Sequence, residues 1–220
     1  DIVHHVAIKP ILYGSIAALI TDIKSVINAL SGMGYVFISK DYKAKLLRPF
    51  IKRGLNFILS RANNRVIIQN TDDRHFLINS LAVPKENIIM IRGSGVNTSQ
   101  FAPMPEPKGT PIVILVARML WDKGIREFVQ AAKMIKEKGV DAKFILVGSP
   151  DPENPASICE QQLLDWQNSG FIEWLGHQND IPAVWAQAHI AVLPSYGEGL
   201  PKSLIEAASH NLEANVQRHQ

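Results

Sequence analysis

Short apolar, β-rich runs alternate with stretches of helical period along the chain, and this alternation constrains the fold more than any single motif. The runs lie at Val26–Leu30, Val66–Gln69, Ile88–Ile91, Ile112–Ala117, Lys143–Val147, Phe171–Leu175 and Ile190–Leu193. Between most of them fall segments such as Ile125–Lys138 and Glu160–Asn168, whose apolar residues recur at helical spacing. Strand–helix alternation of this kind builds an α/β fold on doubly wound parallel sheets. The strand interiors are apolar throughout, as in parallel strands covered on both faces.

A length of 220 residues leaves room for one large domain or two small ones. With 46% apolar and 20% charged residues, a disordered chain is excluded. The single cysteine, Cys159, has no internal partner and fits a reducing compartment. The longest nearly apolar stretches, Ile11–Ile20 and Pro111–Trp121, fall short of the ~20 residues that a membrane helix needs. No span and no signal peptide are expected, and the location read from this is cytoplasmic. Between Gln100 and Pro111 lie Pro103, Pro105, Pro107 and Pro111, a composition that makes a stiff linker. The predicted organisation is therefore a first domain over 1–101, a linker over 102–111 and a second domain over 112–220. The chain opens without Met on Asp1-Ile-Val-His4-His5, which reads as the end of a strand. Its tail, His210–Gln220, is polar and reads as no strand, so both domains are expected to be incomplete.

The formal net charge of +3 conceals an uneven distribution. Lys40, Lys43, Lys45, Arg48, Lys52, Arg53, Arg61 and Arg65 crowd the segment 40–65 against Asp41 alone. Leu46, Leu47, Phe50, Ile51, Phe57, Ile58 and Leu59 recur there with roughly helical spacing. The segment predicts a basic amphipathic helix, kinked or restarted near Pro49 and Gly54. Its polar face is either simply solvated or sits on anionic lipid, where each basic residue contributes about 1 kcal/mol. Few aromatics and no nucleic-acid-binding motif accompany the charge, so nucleic acid is not an expected partner.

Three strand ends carry candidate ligand-binding groups. Ile112–Ala117 runs into Arg118 and then Lys123-Gly124, ahead of a helix starting near Ile125. Ligands of open α/β sheets bind beyond the carboxyl ends of the strands, and helix N-termini attract anions. Arg118 and Lys123 are thus placed to hold a diphosphate, or else are two surface cations in a loop. Phe144–Val147 runs into Gly148-Ser-Pro, and Phe171–Leu175 into Gly176-His177; glycine at a strand end lets a ligand approach the backbone. The most informative stretch is Pro194-Ser-Tyr-Gly-Glu198-Gly199-Leu200-Pro201, followed by Glu206 one to two turns into the next helix. Glu198 and Glu206 can accept hydrogen bonds from the hydroxyls of one ligand at the helix mouth, with the Gly199 and Leu200 amides near phosphate. Acidic residues complementing the helix dipole would give the same pattern.

These residues together resemble a known family. Pro-Ser-x-x-Glu198-Gly199-x-Pro201-x4-Glu206-Ala, Val-Ala-Arg118-x4-Lys123-Gly124 and Val-Gly148-Ser-Pro look like the retaining GT-B glycosyltransferases of family 4, the glycosyl transferases group 1. The resemblance covers Ile112 to about Ala208. It implies two Rossmann-like domains, with Arg118 and Lys123 on the donor diphosphate, Gly148 in the donor site and Glu206 on the ribose. It also implies Glu198, with the Gly199–Leu200 backbone, on the transferred sugar. In the first half, Asp1-Ile-Val-His4-His5 resembles a strand-to-loop turn presenting a histidine to the donor sugar, with His5 preferred over His4. Lys9-Pro10-Ile-Leu-Tyr13-Gly14, Ser31-Gly32-Met-Gly34-Tyr35-Val-Phe37 and Arg92-Gly-Ser-Gly95-Val96-Asn97 look like a subgroup that builds capsule, O-antigen or N-glycan precursors on polyprenyl diphosphate. Lys9 would face an acceptor phosphate.

The function so implied is transfer of a sugar, with retention, from a UDP-type nucleotide sugar to a polyprenyl diphosphate-linked or other glycan acceptor. No Asp-x-Asp occurs and the histidines lack metal-ligand spacing, so no cofactor is expected and protein cations would replace a metal. A bilayer-borne acceptor favours the lipid reading of 40–65, as a peripheral contact on the inner face of the cytoplasmic membrane. The alternative is a nucleotide-sugar-binding module without catalysis. A Rossmann-type dehydrogenase is disfavoured, because no Gly-x-Gly-x-x-Gly follows a strand.

Overall fold

The computed structural model describes residues 1–30, 32, 37 and 42–216. Most of the Ser31–Phe37 motif, with Lys40, Asp41 and residues 217–220, lies outside the described residues. The chain divides into two compact units, Asp1–Ser94 with Gly197–Leu200, and Gly95–Tyr196 with Pro201–Gln220. The proline-rich stretch 102–111 thus counts with the second unit.

The first unit is a four-stranded parallel sheet in the order β1-β2-β3-β4, formed by β1 (Ile2–Val6), β2 (Ser25–Leu30), β3 (Asn64–Ile68) and β4 (Ile88–Met90). The connecting helices are α1 (Ile8–Ile20), α2 (Tyr42–Leu59) and α3 (Thr71–Leu81). The helix α3 shows why a helix forms where it does. Asn70 caps it by accepting from the Asp73 amide at 2.7 Å, Asp72 and Asp73 complement the dipole in the first turn, and Ala82 ends it in the left-handed region at φ 49°. The Val83 amide then returns to the Leu77 carbonyl at 3.0 Å. Leu77 and Leu81 join Ile11, Leu30, Leu55, Leu59, Val66 and Ile68 in the core of this unit. Each such side chain contributes roughly 1.5–3 kcal/mol on burial.

Two expectations change here. The basic segment forms a single helix, α2, that runs through Pro49 and Gly54 without restarting, and Arg61 and Arg65 fall outside it. Its burial is carried by Leu55, Ile58 and Leu59, beyond Pro49, so the turn that proline disturbs faces solvent. The histidine pair lies inside β1 rather than in a turn after it.

The second unit is a five-stranded, all-parallel sheet in the order β7-β6-β5-β8-β9. Its strands are β5 (Ile112–Val116), β6 (Lys143–Val147), β7 (Glu173–Trp174), β8 (Ile190–Leu193) and β9 (Glu213–Val216), joined by α4 (Ile125–Glu137), α5 (Glu160–Asn168), α6 (Ile181–Trp185) and α7 (Lys202–Ser209). Chain order runs outward from β5 through β6 to β7, then returns to place β8 on the other side of β5. That reversal is the mark of double winding, and it puts a topological switch point between β5 and β8. The tail, expected to hold no strand, pairs as β9 with β8 from Ile190–Glu213 to Leu193–Val216. Glu-Ala-Asn-Val has little apolar signal, and the exposed main-chain groups of β8 supply the template instead. Ile114, Leu115, Leu146, Ala191 and Trp185 are fully buried at the centre of this unit.

Candidate functional site

The switch point collects most of the residues singled out in the second half of the sequence. Beyond β5 the chain passes through Arg118 into a 3-10 turn, Trp121–Lys123, and reaches α4 through Gly124 at φ 74°. Lys123, half-buried, closes that turn. Beyond β8 the chain runs through Pro194–Tyr196 and the Gly197–Leu200 segment to Pro201, which stands at the N-cap of α7. Glu206 lies in the second turn of α7 and is only 8% exposed. Its carboxylate pairs with solvent-exposed Lys202 at 3.5 Å. A nearly buried carboxylate with one flexible surface partner is suited to accept from ligand hydroxyls.

The loops at this end are held by close backbone packing. A Cβ on Gly124 would overlap the Pro194 carbonyl oxygen, and one on Gly148 would overlap that of Ala117. Gly148 sits at φ 135°, its amide donates to the Gly176 carbonyl at 2.7 Å, and its own carbonyl accepts from the Trp174 indole at 2.8 Å. The glycines after β6 and β7 therefore do meet, as one continuous rim. The Asp122 carbonyl accepts from the Tyr196 amide at 2.9 Å and from the Ser195 hydroxyl at 3.0 Å, tying the turn after β5 to the turn after β8.

Arg118 is exposed and donates to Asp151 at 2.7 Å. Asp151, in the loop after β6, escaped the sequence reading, although Ser-Pro-Asp directly after a glycine at a strand end places a carboxylate at the same rim. Tyr196 donates to Glu127 Oε1 at 2.7 Å, on the first turn of α4. That hydrogen bond, with partial burial and the Glu127 charge, raises the phenol above its usual pKa, partly offset by Arg126. No sequence signal links the two positions, because the pairing is created by the β5–β8 adjacency.

In the first unit, His5 is half-buried, and His4, on the opposite face of β1, is exposed. The His5 Nδ1 meets Asn28 Oδ1 at 3.0 Å, in register with it on β2. Ser15 donates to the same oxygen at 3.3 Å, and Asn28 donates to Asn64 at 2.8 Å. The other edge of the ring lies against Gly14 of α1. His5 is thus committed to a buried polar network of the sheet. Lys9 is exposed on the first turn of α1, a helix start with no acidic residue and no side-chain cap. The Gly197–Leu200 segment packs within this unit: Asn70 donates to the Glu198 and Gly199 carbonyls, both at 3.1 Å, and the Leu200 amide donates to Gln69 at 3.2 Å. The sequence marks Gln69 only as the end of the run Val66–Gln69, and it does not single out Asn70. Among the described residues no group of three or more His, Cys, Asp or Glu side chains could hold a metal ion, and no helix is long and apolar enough to cross a membrane.

Comparison with known proteins agrees with this architecture. The chain is 34% identical to N,N'-diacetylbacillosaminyl-diphospho-undecaprenol alpha-1,3-N-acetylgalactosaminyltransferase of Campylobacter jejuni, over 94% of this chain and 56% of that protein. It is 27% identical to UDP-Gal:alpha-D-GlcNAc-diphosphoundecaprenol alpha-1,3-galactosyltransferase of Escherichia coli, over 98% of this chain and 57% of that protein. The chain therefore spans little more than half the length of these relatives. Among solved structures it resembles Anabaena Alr3699/HepE in complex with UDP-glucose, at a TM-score of 0.74 and 17% identity over 98% of this chain and 59% of that one. Sucrose-phosphate synthase from Thermosynechococcus elongatus gives a TM-score of 0.77 at 20% identity, over 98% of this chain and 55% of that one. These likenesses are of fold, and they bear out the GT-B class. Residues 110–213, which contain the switch point and both of its helices, match the family model for glycosyl transferases group 1, the family to which this part of the chain belongs.

Proposed function

We propose that this chain serves a retaining glycosyltransferase that moves a sugar from a UDP-type nucleotide sugar to a polyprenyl diphosphate-linked glycan in cell-surface polysaccharide synthesis. The observation that carries the reading is the β5–β8 switch point, where the Lys123 turn and the Glu206 helix start from adjacent strands. Lys123 and Arg118 take the diphosphate, Arg118 leaving or sharing Asp151 to do so. Glu206 accepts from the ribose diol. Gly148 keeps the rim low enough for the nucleotide to approach the backbone, and Glu198 with the Gly199–Leu200 backbone holds the sugar. Charge on the leaving diphosphate is stabilised by these cations and by the N-terminus of α4, without a metal. The named relatives support the substrate classes: both names specify undecaprenyl diphosphate-linked acceptors, and one specifies a UDP sugar.

His5 faces the donor sugar in this reading when its ring leaves Asn28, at the cost of that hydrogen bond; Lys9 takes an acceptor phosphate. The basic, apolar-studded α2 rests on the anionic cytoplasmic face of the membrane, where such an acceptor resides. Calorimetric titration with UDP and a panel of UDP sugars tests the donor site. Binding that is lost on Lys123→Ala is expected; no binding of any nucleotide would overturn the reading. Transfer of a labelled sugar to a polyprenyl diphosphate-sugar, abolished by Glu198→Ala, separates an enzyme from a binding module.

A further inference from the structure

The turn after β5 and the turn after β8 are joined by more than adjacency. Two donors from Ser195 and Tyr196 converge on the Asp122 carbonyl, and Gly124 packs on the Pro194 backbone. The side chain of Tyr196 then reaches past this junction to Glu127 at 2.7 Å. Tyr196 is the last residue before Gly197, at the root of the segment carrying Glu198, while Glu127 lies four residues after Lys123 on the helix that begins there. The Tyr196 hydroxyl meets Glu127 Oε1, while Glu127 Oε2 and Asp122 Oδ1 are buried without a hydrogen-bond partner among the described residues. Arg126 lies over the Trp121 ring at 4.7 Å, and Trp121 meets Trp166 edge-on at 5.9 Å, which stiffens the base of the same turn.

Tyr196 itself is 40% exposed. A hydrogen bond so placed adds little to global stability, but it fixes the angle at which the chain leaves β8. We propose that Tyr196 and Glu127 are positioning residues, whose hydrogen bond locks the Lys123 turn to the end of the chain leaving β8, directly ahead of Glu198. This rests on the donor-site reading above, in which Lys123 takes the diphosphate and the Glu198 segment the sugar. Small displacements of binding groups have large consequences: a misplacement of about 1 Å costs on the order of 10²-fold in a reacting complex.

The test compares UDP with the tightest-binding UDP sugar among glucose, galactose and their N-acetyl forms, by calorimetric titration of the parent chain, Tyr196→Phe, Glu127→Gln and Glu127→Ala. Tyr196→Phe and Glu127→Ala are expected to bind UDP within about twofold of the parent while losing at least about fivefold for the UDP sugar. Glu127→Gln, which keeps an acceptor oxygen, is expected to restore most of that loss. The double variant Tyr196→Phe/Glu127→Ala should be no weaker than either single one. Equal losses for UDP and UDP sugar, no loss at all, or additive losses in the double variant would each overturn the proposal. Lys123→Ala serves as the control: if it leaves UDP binding intact, the donor-site reading has failed and this proposal falls with it. If it abolishes binding while Tyr196→Phe changes nothing, only the positioning role is refuted.

Discussion

His5 and Gly14 are packed so closely that a Cβ on the glycine would overlap the imidazole ring. Helix α1 therefore sits on β1 with room for no side chain at that contact. Moving the ring away costs the hydrogen bond of its Nδ1 with Asn28, which also binds Ser15 and Asn64. Gly14→Ala should cost about 1–3 kcal/mol through this overpacking. A urea titration would register the loss, and removing the ring with a second change, His5→Ala, should recover part of it. A Gly14→Ala chain as stable as the parent would mean that the ring is not held there.

Gly124 and Gly139 allow a matched comparison. Both adopt φ 74°, so alanine pays the same backbone strain at either, roughly 1–2 kcal/mol. A Cβ on Gly139 would meet nothing within 4 Å among the described residues, whereas one on Gly124 would meet the Pro194 carbonyl. Gly124→Ala should therefore destabilise more than Gly139→Ala by thermal melting, and it alone should weaken UDP binding. Equal effects of the two would remove the evidence that the turn after β5 is packed on the chain leaving β8.

The contrast between these two glycines also marks what the sequence could and could not convey. Strand runs and the Lys123-Gly124 and Glu198–Glu206 patterns are local, encoded by apolar period and by glycine and proline at element ends. The alternation of elements is therefore readable, and with it the α/β class. The order β7-β6-β5-β8-β9 is not written in any segment, and the pairs it creates, Tyr196 with Glu127 or Arg118 with Asp151, join residues 69 and 33 positions apart. β9 was invisible for a related reason: a short strand with a ready template on β8 needs no apolar run of its own. His5 shows the converse. As a sequence it looks like a group offered to a ligand, and only the register of Asn28 beside it exposes a structural commitment.

The Tyr196 phenol, held protonated by its bond to Glu127, has a pKa raised above the usual value of 10.0. Its contribution to stability is then fully present below about pH 10 and is lost as pH rises through the raised value, where the folded chain must release the proton beside a carboxylate. The difference in stability between the parent and Tyr196→Phe should shrink in that alkaline window and stay flat from pH 6 to 9. Paired denaturant titrations across pH 6–11 would measure it, and a difference that does not change with pH would argue against the hydrogen bond.

Glu206 and Lys202 form an ion pair one turn apart on α7, but the two ends differ: the Lys202 side chain is 67% exposed and the Glu206 side chain 11%. An ion pair with one solvated partner is worth about 0–1 kcal/mol, so Lys202→Ala should leave both stability and UDP affinity nearly unchanged. Glu206→Ala removes the acceptor assigned to the ribose and should weaken UDP at least about tenfold, a loss of about 1.4 kcal/mol. Deoxyribose UDP analogues distinguish a direct contact from a packing defect. The parent should lose affinity for them, and Glu206→Ala should not discriminate.

The surface of α2 sets Lys45, Arg48, Lys52 and Arg53 beside Leu46, Leu47, Phe50 and Phe57, and these four apolar side chains are all more than half exposed. On the anionic interface proposed for α2, insertion of these apolar groups and attraction of the cations would reinforce each other. At about 1 kcal/mol per basic residue, neutralising all four to glutamine should weaken binding to phosphatidylglycerol vesicles by about a thousandfold. The same change should have little effect on vesicles of neutral lipid. Because the cationic part is screened within about 8–10 Å at ordinary ionic strength, raising salt should reproduce much of that loss in the parent chain. Phe50→Ser, which leaves the charge intact, should weaken binding to a degree that salt does not mimic. Sedimentation that is indifferent both to the four neutralisations and to salt would sink the membrane role of α2 and leave its cations as a solvated face.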